Sequence, residues 1–112
     1  MKTNEALSAL AALAQETRLA IFRHLVELGP DGAVAGAIAN AFELAPPTLS
    51  FHLKELSHAD LVVSRQEGRF VRYAANFDSM NGLIAYLTEN CCAGESCGVA
   101  CAPVKSARRK RG

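Results

Sequence analysis

All four cysteines of the chain lie in one stretch, "NCCAGESCGVAC", residues 90–101. They are Cys91, Cys92, Cys97 and Cys101. Thiolates are soft ligands and select soft centres. A structural zinc site draws on cysteine pairs separated by a few residues. An adjacent Cys-Cys pair with a third sulfur further on suits a centre that takes three sulfurs in a pyramid. Gly94 and Gly98 supply the backbone freedom to fold Cys97 back onto Cys91 and Cys92. Two other chemistries fit the same residues: a soft divalent metal such as cadmium or zinc, and a redox switch that forms disulfides on oxidation.

A second group of residues has a different chemistry. In "LAPPTLSFHLKELSHADLV", Leu49, Leu53 and Leu56 make a buried stripe at helical spacing. Thr48, Ser50, His52 and Lys54 lie mostly off that stripe, near the start of the helix. Short hydrogen-bonding groups there suit the base edges of a major groove, and Lys54 suits a phosphate. Phe51, a large aromatic beside the polar face, suits either thymine methyls or a place under the preceding turn, and packing is the expectation. The following "LVVSRQEGRFVRYAA" reads as a β-hairpin turning near Gly68. Arg65, Arg69 and Arg72 surround its turn and suit the DNA backbone or a minor groove.

The remaining elements position these groups. Leu7, Leu10 and Leu13 mark one face of a first helix over residues 7–14. "ETRLAIFRHLVELG" is a second helix, closed by Gly29-Pro30-Asp31-Gly32. "AGAIANAF" is a short third helix, and Pro47 is placed to open the fourth. "FDSMNGLIAYLTENC" is a last helix whose Met80, Leu83, Ile84, Leu87 and Cys91 share a face. His24 and His58 read as structural residues. The expected fold is mostly α with a β-hairpin wing (α+β): a winged helix-turn-helix. Residues 1–90 form the DNA-binding and dimerisation domain, and residues 91–112 the cysteine-rich segment and a basic tail.

The chain has 112 residues and a formal net charge of +1. That total hides a division. "KSARRKRG" carries five bases and no acid, so residues 1–104 set seven bases against eleven acids. Any DNA contact by the body must come from a local basic surface. The tail reads first as a solvated end and second as a phosphate-holding arm. No apolar run is long enough to span a membrane. The Ala/Leu-rich start reads as an amphipathic helix rather than a secretion signal, so the expected location is the reducing cytoplasm, where thiols stay free or bind metal. An enzyme of the thiol oxidoreductase class needs a base near its cysteine. No histidine follows His58, and no cofactor loop is visible.

The motifs "TRLAI", "PTLSFHLKEL" and "EGR" occur in this order at residues 17–21, 47–56 and 67–69. In them the chain resembles the ArsR/SmtB family of arsenic- and metal-responsive repressors, over about residues 5–76. The resemblance implies a repressor that binds double-stranded operator DNA as a homodimer built from the first and last helices, and that releases it on binding an inducer. Many arsenic sensors of the family hold a Cys-x-Cys where this chain has Val34 and Gly36, which cannot ligate. The zinc sensors place Asp and His on the last helix; here Asp78 stands without a following histidine. Ala45 and Pro46 replace a Ser-Gln often found before the recognition helix. A subset of the family resembles this chain in a Cys-Cys and a third cysteine after the last helix. By that resemblance Cys91, Cys92 and Cys97 bind trivalent arsenic, the inducer, with antimony as a further candidate. Cys101 is an auxiliary ligand or a spare.

Overall fold

The computed structural model describes residues 1–94. The elements run α1 (Thr3–Leu13), α2 (Glu16–Leu28), β1 (Ala33–Val34), α3 (Ala35–Phe42), α4 (Pro46–His58), β2 (Val62–Glu67), β3 (Phe70–Ala75) and α5 (Phe77–Leu87), with a single 3₁₀ turn at Cys91–Gly94. The expected mostly helical fold with a hairpin wing is present. β1 is an addition. It has only two residues and no alternation of its own, so no sequence period marks it. It pairs antiparallel with β3 (Ala33↔Tyr73, Val34↔Arg72) and makes a three-stranded sheet in the order β1-β3-β2.

Local chemistry sets most boundaries. α1 starts earlier than its leucine period suggests, because the Lys2 N–H donates to the Glu5 carboxylate at 2.8 Å and closes the first turn. Gln15 caps α2 by accepting from the Arg18 N–H at 2.9 Å. Arg18, part of the "TRLAI" motif, also donates from Nε to the Ala12 carbonyl at 2.7 Å. It thereby satisfies a carbonyl in the last turn of α1 and fixes the corner between the two helices. α4 begins at Pro46 rather than Pro47, with both prolines in its first turn. Proline is tolerated there because the first helical N–H groups have no intrahelical acceptor. Asn76 caps α5 by accepting from the Ser79 N–H at 3.2 Å.

The core is one cluster. Ile21, Leu25, Ile38, Leu53, Leu56 and Leu61 are its fully buried large side chains. Leu83 of α5 joins the same cluster as Leu49 of α4, so the last helix and the recognition helix share packing.

α1 reverses the sequence expectation. Its buried face is Ala6, Ala9 and Ala12, while Leu7 and Leu10 are 61% and 40% exposed. The small alanines let α1 sit close against its neighbours, and the leucines point away. The α5 face is divided in the same way. Leu83 is buried, but Ile84 and Leu87 are 53% and 58% exposed. Thr3 Oγ1 and Tyr86 OH, 2.6 Å apart, share a hydrogen bond that joins the two helices.

Candidate nucleic-acid interface and sulfur site

The helix-turn-helix unit is α3, the turn Glu43–Ala45, and α4. Glu43 takes the left-handed conformation (φ 53°) that ends α3, and the Leu44 N–H returns to the Ala39 carbonyl at 3.0 Å. α4 buries Leu49, Leu53 and Leu56 as the sequence period requires. Thr48, Ser50 and Lys54 are exposed. They do not share one face. At about 100° per residue, Thr48 and Ser50 fall on opposite sides of the helix crest. His52 is half-buried on the flank, and its Nδ1 is enclosed without a hydrogen-bond partner among the described residues. Only Nε2 is left to reach outward.

Phe51 departs from expectation. It does not pack under the turn; it is 55% exposed. Its ring meets the His52 ring edge-on, with centroids 5.6 Å apart. His24 is structural as expected, packed edge-on against Phe42 at 5.4 Å. His58 is exposed, in the last turn of α4. It lines an open cavity of about 540 Å³ between α1, the end of α4 and α5, along with Glu5, Asp60 and Asp78.

The wing is a tight hairpin. Gly68 has φ +62°, the positive angle that the first central residue of a two-residue hairpin turn requires. The register sets Arg65 directly opposite Arg72 on one face. Like charges in that position repel. Glu67 resolves the conflict: its Oε2 accepts from Arg65 Nε and Nη2 at 3.0 and 2.8 Å, and its Oε1 from Arg72 Nε at 3.0 Å. Those hydrogen bonds, from Arg65 first and Arg72 second, hold the Glu67 carboxyl below its ordinary value of 4.5. Arg72 also donates from Nη1 to the Asp31 carbonyl at 3.1 Å, which ties the wing to the loop before β1. Arg69, at the tip, is exposed and makes no hydrogen bond or ion pair among the described residues. Of the three arginines that the sequence singles out, two are already engaged by a neighbouring carboxylate. Sequence reading treats Glu67 only as a turn residue. The signal it holds is the i, i+2 spacing from Arg65, which puts both on one face of a strand.

The charge division now has a location. Lys54, Arg65, Arg69 and Arg72, four of the seven bases in residues 1–104, lie on α4 and the wing.

α5 ends at Leu87, so Cys91 does not continue its face as the spacing predicts; residues 88–90 form a turn, and Cys91 and Cys92 open the 3₁₀ turn after it. The Cys91 N–H donates to the Thr88 carbonyl at 3.0 Å, and the two Sγ atoms are 3.8 Å apart. Each cysteine is disulfide-bonded in this structure, and not to the other, since an S–S bond is about 2.05 Å long; the sequence points instead to free or metal-bound thiols. Cys97, Cys101 and the basic tail lie outside the described residues. Among the described residues no group of three or more His, Cys, Asp or Glu side chains is placed to hold a metal ion. No described helix is long and apolar enough to cross a membrane.

A family model described as a helix-turn-helix domain matches residues 13–65. The arsenical resistance operon repressor of Bacillus subtilis (strain 168) is 33% identical over 81 residues, which is 72% of this chain and 73% of the relative. Among solved structures, an ArsR-like transcriptional regulator from Rhodococcus sp. RHA1 has 33% identity and a TM-score of 0.66, covering 81% of this chain and 82% of that one. HlyU from Vibrio cholerae N16961 has 30% identity and a TM-score of 0.64, covering 82% and 99%. The Bacillus repressor and the Rhodococcus protein are transcriptional regulators by name, and the helix-turn-helix model spans α2 to the first residues of β2. The chain is a member of the ArsR family of winged helix-turn-helix transcriptional regulators.

Proposed function

We propose that the chain is a cytoplasmic, homodimeric repressor that holds operator DNA through α4 and the wing and releases it when trivalent arsenic binds the thiolates of Cys91, Cys92 and Cys97. Residues 1–90 carry DNA binding and pairing, and residues 91–112 carry inducer binding. Thr48, Ser50 and His52 contact the major groove, Lys54 a flanking phosphate, and Arg65, Arg69 and Arg72 the backbone or the neighbouring minor groove. Cys101 is an auxiliary ligand.

One observation carries the inducer reading. Two sulfurs, 3.8 Å apart, stand just beyond the helix that packs against α1 and shares the core with α4. That separation lets both thiolates reach one soft centre. Trivalent arsenic takes three sulfurs and keeps a lone pair on its open side. The Bacillus subtilis relative, an arsenical resistance operon repressor, supports the same class of inducer. The pair must be reduced before it can ligate.

Pairing follows from apolar exposure. Leu7 and Leu10 on α1 and Ile84 and Leu87 on α5 leave a contiguous-element apolar surface that water does not favour. A two-fold pair through these helices covers it and holds two copies of α4 about one DNA turn, ~34 Å, apart. Arsenic, by refolding the segment after Leu87, shifts α5 and spoils that spacing. A coupling of only about 1–3 kcal/mol lowers DNA affinity roughly 5–150-fold.

A second reading, release on oxidation, is supported by four cysteines within twelve residues of chain, close enough to pair as disulfides. Fluorescence anisotropy on operator DNA separates the two. The reduced protein is titrated with arsenite, antimonite, cadmium and zinc, and in parallel with a disulfide-forming oxidant. Arsenite releases DNA from the reduced protein, and Cys91→Ser, Cys92→Ser and Cys97→Ser each abolish that release while binding DNA normally. Cys101→Ser responds nearly as the parent does. DNA retained by reduced protein with arsenite demonstrably bound contradicts the arsenic reading, and release by oxidant alone selects the second.

A further inference from the structure

We propose that Phe51 is a base-reading residue, whose ring contacts the C5-methyl group of a thymine in the major groove. This rests on the reading of α4 as the groove-entering helix. Phe51 lies about 140–160° around that helix from each of Leu49, Leu53 and Leu56, so it occupies the crest opposite the core. It is 55% exposed. Pro47, exposed one turn earlier, extends the apolar ridge toward the end of α4 that enters a groove first. Lys54, exposed close to the same crest, supplies the flanking phosphate contact. The edge-on His52 ring, 5.6 Å away, limits how far the phenyl ring can turn aside.

The choice of ligand follows from what a phenyl ring lacks. It has no donor or acceptor for the polar base edges. The C5-methyl of thymine is the apolar group that the major groove presents, and phenylalanine suits it. A wedge between base steps is the alternative use of an aromatic side chain, but that belongs to minor-groove binders, and Phe51 sits on a helix crest suited to the major groove. The operator half-site therefore contains a thymine under the crest of α4, and cytosine or uracil there binds less well.

The test uses the full reduced chain and duplexes enriched on it from a pool with a randomised centre. Each thymine of the enriched site is replaced in turn by deoxyuridine, which removes only the methyl group and keeps the base pairing. One position per half-site is expected to weaken binding about fourfold, the effect of leaving one methyl exposed. Phe51→Ala is expected to bind the thymine and deoxyuridine duplexes equally, and Phe51→Leu to retain part of the difference. Equal binding of the parent protein to every deoxyuridine duplex overturns the assignment while leaving DNA recognition intact. So does a deoxyuridine loss that persists unchanged in Phe51→Ala. Should that variant fail to bind at all, the deoxyuridine series on the parent protein and Phe51→Leu decide. Failure of any duplex to be enriched overturns the DNA reading itself. If Phe51 instead mediates contact between copies, its replacement changes the sedimentation of the DNA-free protein, which also overturns the assignment.

Discussion

Glu67 neutralises part of the charge on the wing it belongs to. Its carboxylate holds two of the three arginines that the backbone of DNA would attract. Removing it leaves one more unit of positive charge facing the phosphates. Glu67→Gln is expected to tighten binding to unrelated DNA and to steepen the slope of log affinity against log salt by about 0.9, one phosphate contact. An anisotropy titration from low to moderate salt reads this, and weaker binding instead would mean that Glu67 aims the arginines rather than masking them. The pH behaviour has a definite sign. The folded-state value of this carboxyl is depressed, so its contribution is present above the ordinary value of 4.5 and is lost as pH falls through the lower folded one. The triad is therefore insensitive to pH between about 5 and 8. A carboxyl NMR titration giving Glu67 a midpoint at or above 4.5 contradicts it. Neither this triad nor the exposure of Phe51 is written in composition. Both follow from counting around a helix or along a strand, which places Phe51 opposite the leucines and Glu67 beside Arg65.

At the scale of elements, backbone geometry decides more than propensity. Gly32 has φ +57°, and a Cβ there would overlap the Tyr73 carbonyl oxygen. Gly32→Ala is expected to destabilise the fold by more than about 2 kcal/mol, since both strain and overlap act. Thermal unfolding should register it as a fall of roughly 10 °C or more. Glu43 presents the opposite case, a side chain in a left-handed conformation that glycine adopts without strain. Glu43→Gly is expected to raise stability by about 0.5–1 kcal/mol, visible as a higher denaturant midpoint at unchanged slope. The helices and the hairpin were legible because their apolar periods are long and their turns carry glycine or proline. β1 was not, because two residues have no period, and only pairing with β3 makes them a strand. The inward face of α1 was also misread. Its buried side is Ala6, Ala9 and Ala12, and of its regularly spaced leucines Leu13 alone packs against the core.

The whole molecule adds what no element holds alone. α5 leads through a short turn to the sulfur pair, buries Leu83 in the common core, and is tied to α1 through Tyr86 and Thr3. That is a continuous mechanical route from the proposed inducer site to the surface proposed for pairing. The pairing surface itself is open to test. Leu10→Glu or Leu87→Asp is expected to shift the protein toward monomer. Loss of one leucine contact on each subunit costs at least about 3 kcal/mol, some two orders of magnitude in association. Sedimentation at several concentrations reads the shift, with operator affinity falling in step. An unchanged dimer would place the interface elsewhere. Thr48, Ser50 and Lys54 are exposed as the helical period beside the leucine stripe predicts, and the arginines flank the hairpin turn as its glycine predicts. The third and fourth sulfurs lie beyond the described residues, so their number and spacing are all that the sequence contributes there. The outward leucines of α1 have one more implication. A subunit whose apolar flank is satisfied only by its twin gains stability through mass action. Repression by such a protein has a threshold in copy number: a cell that makes too little of it loses the folded reader along with the pair. On the proposed reading, the dose of inducer that releases DNA then depends on how many copies the cell keeps.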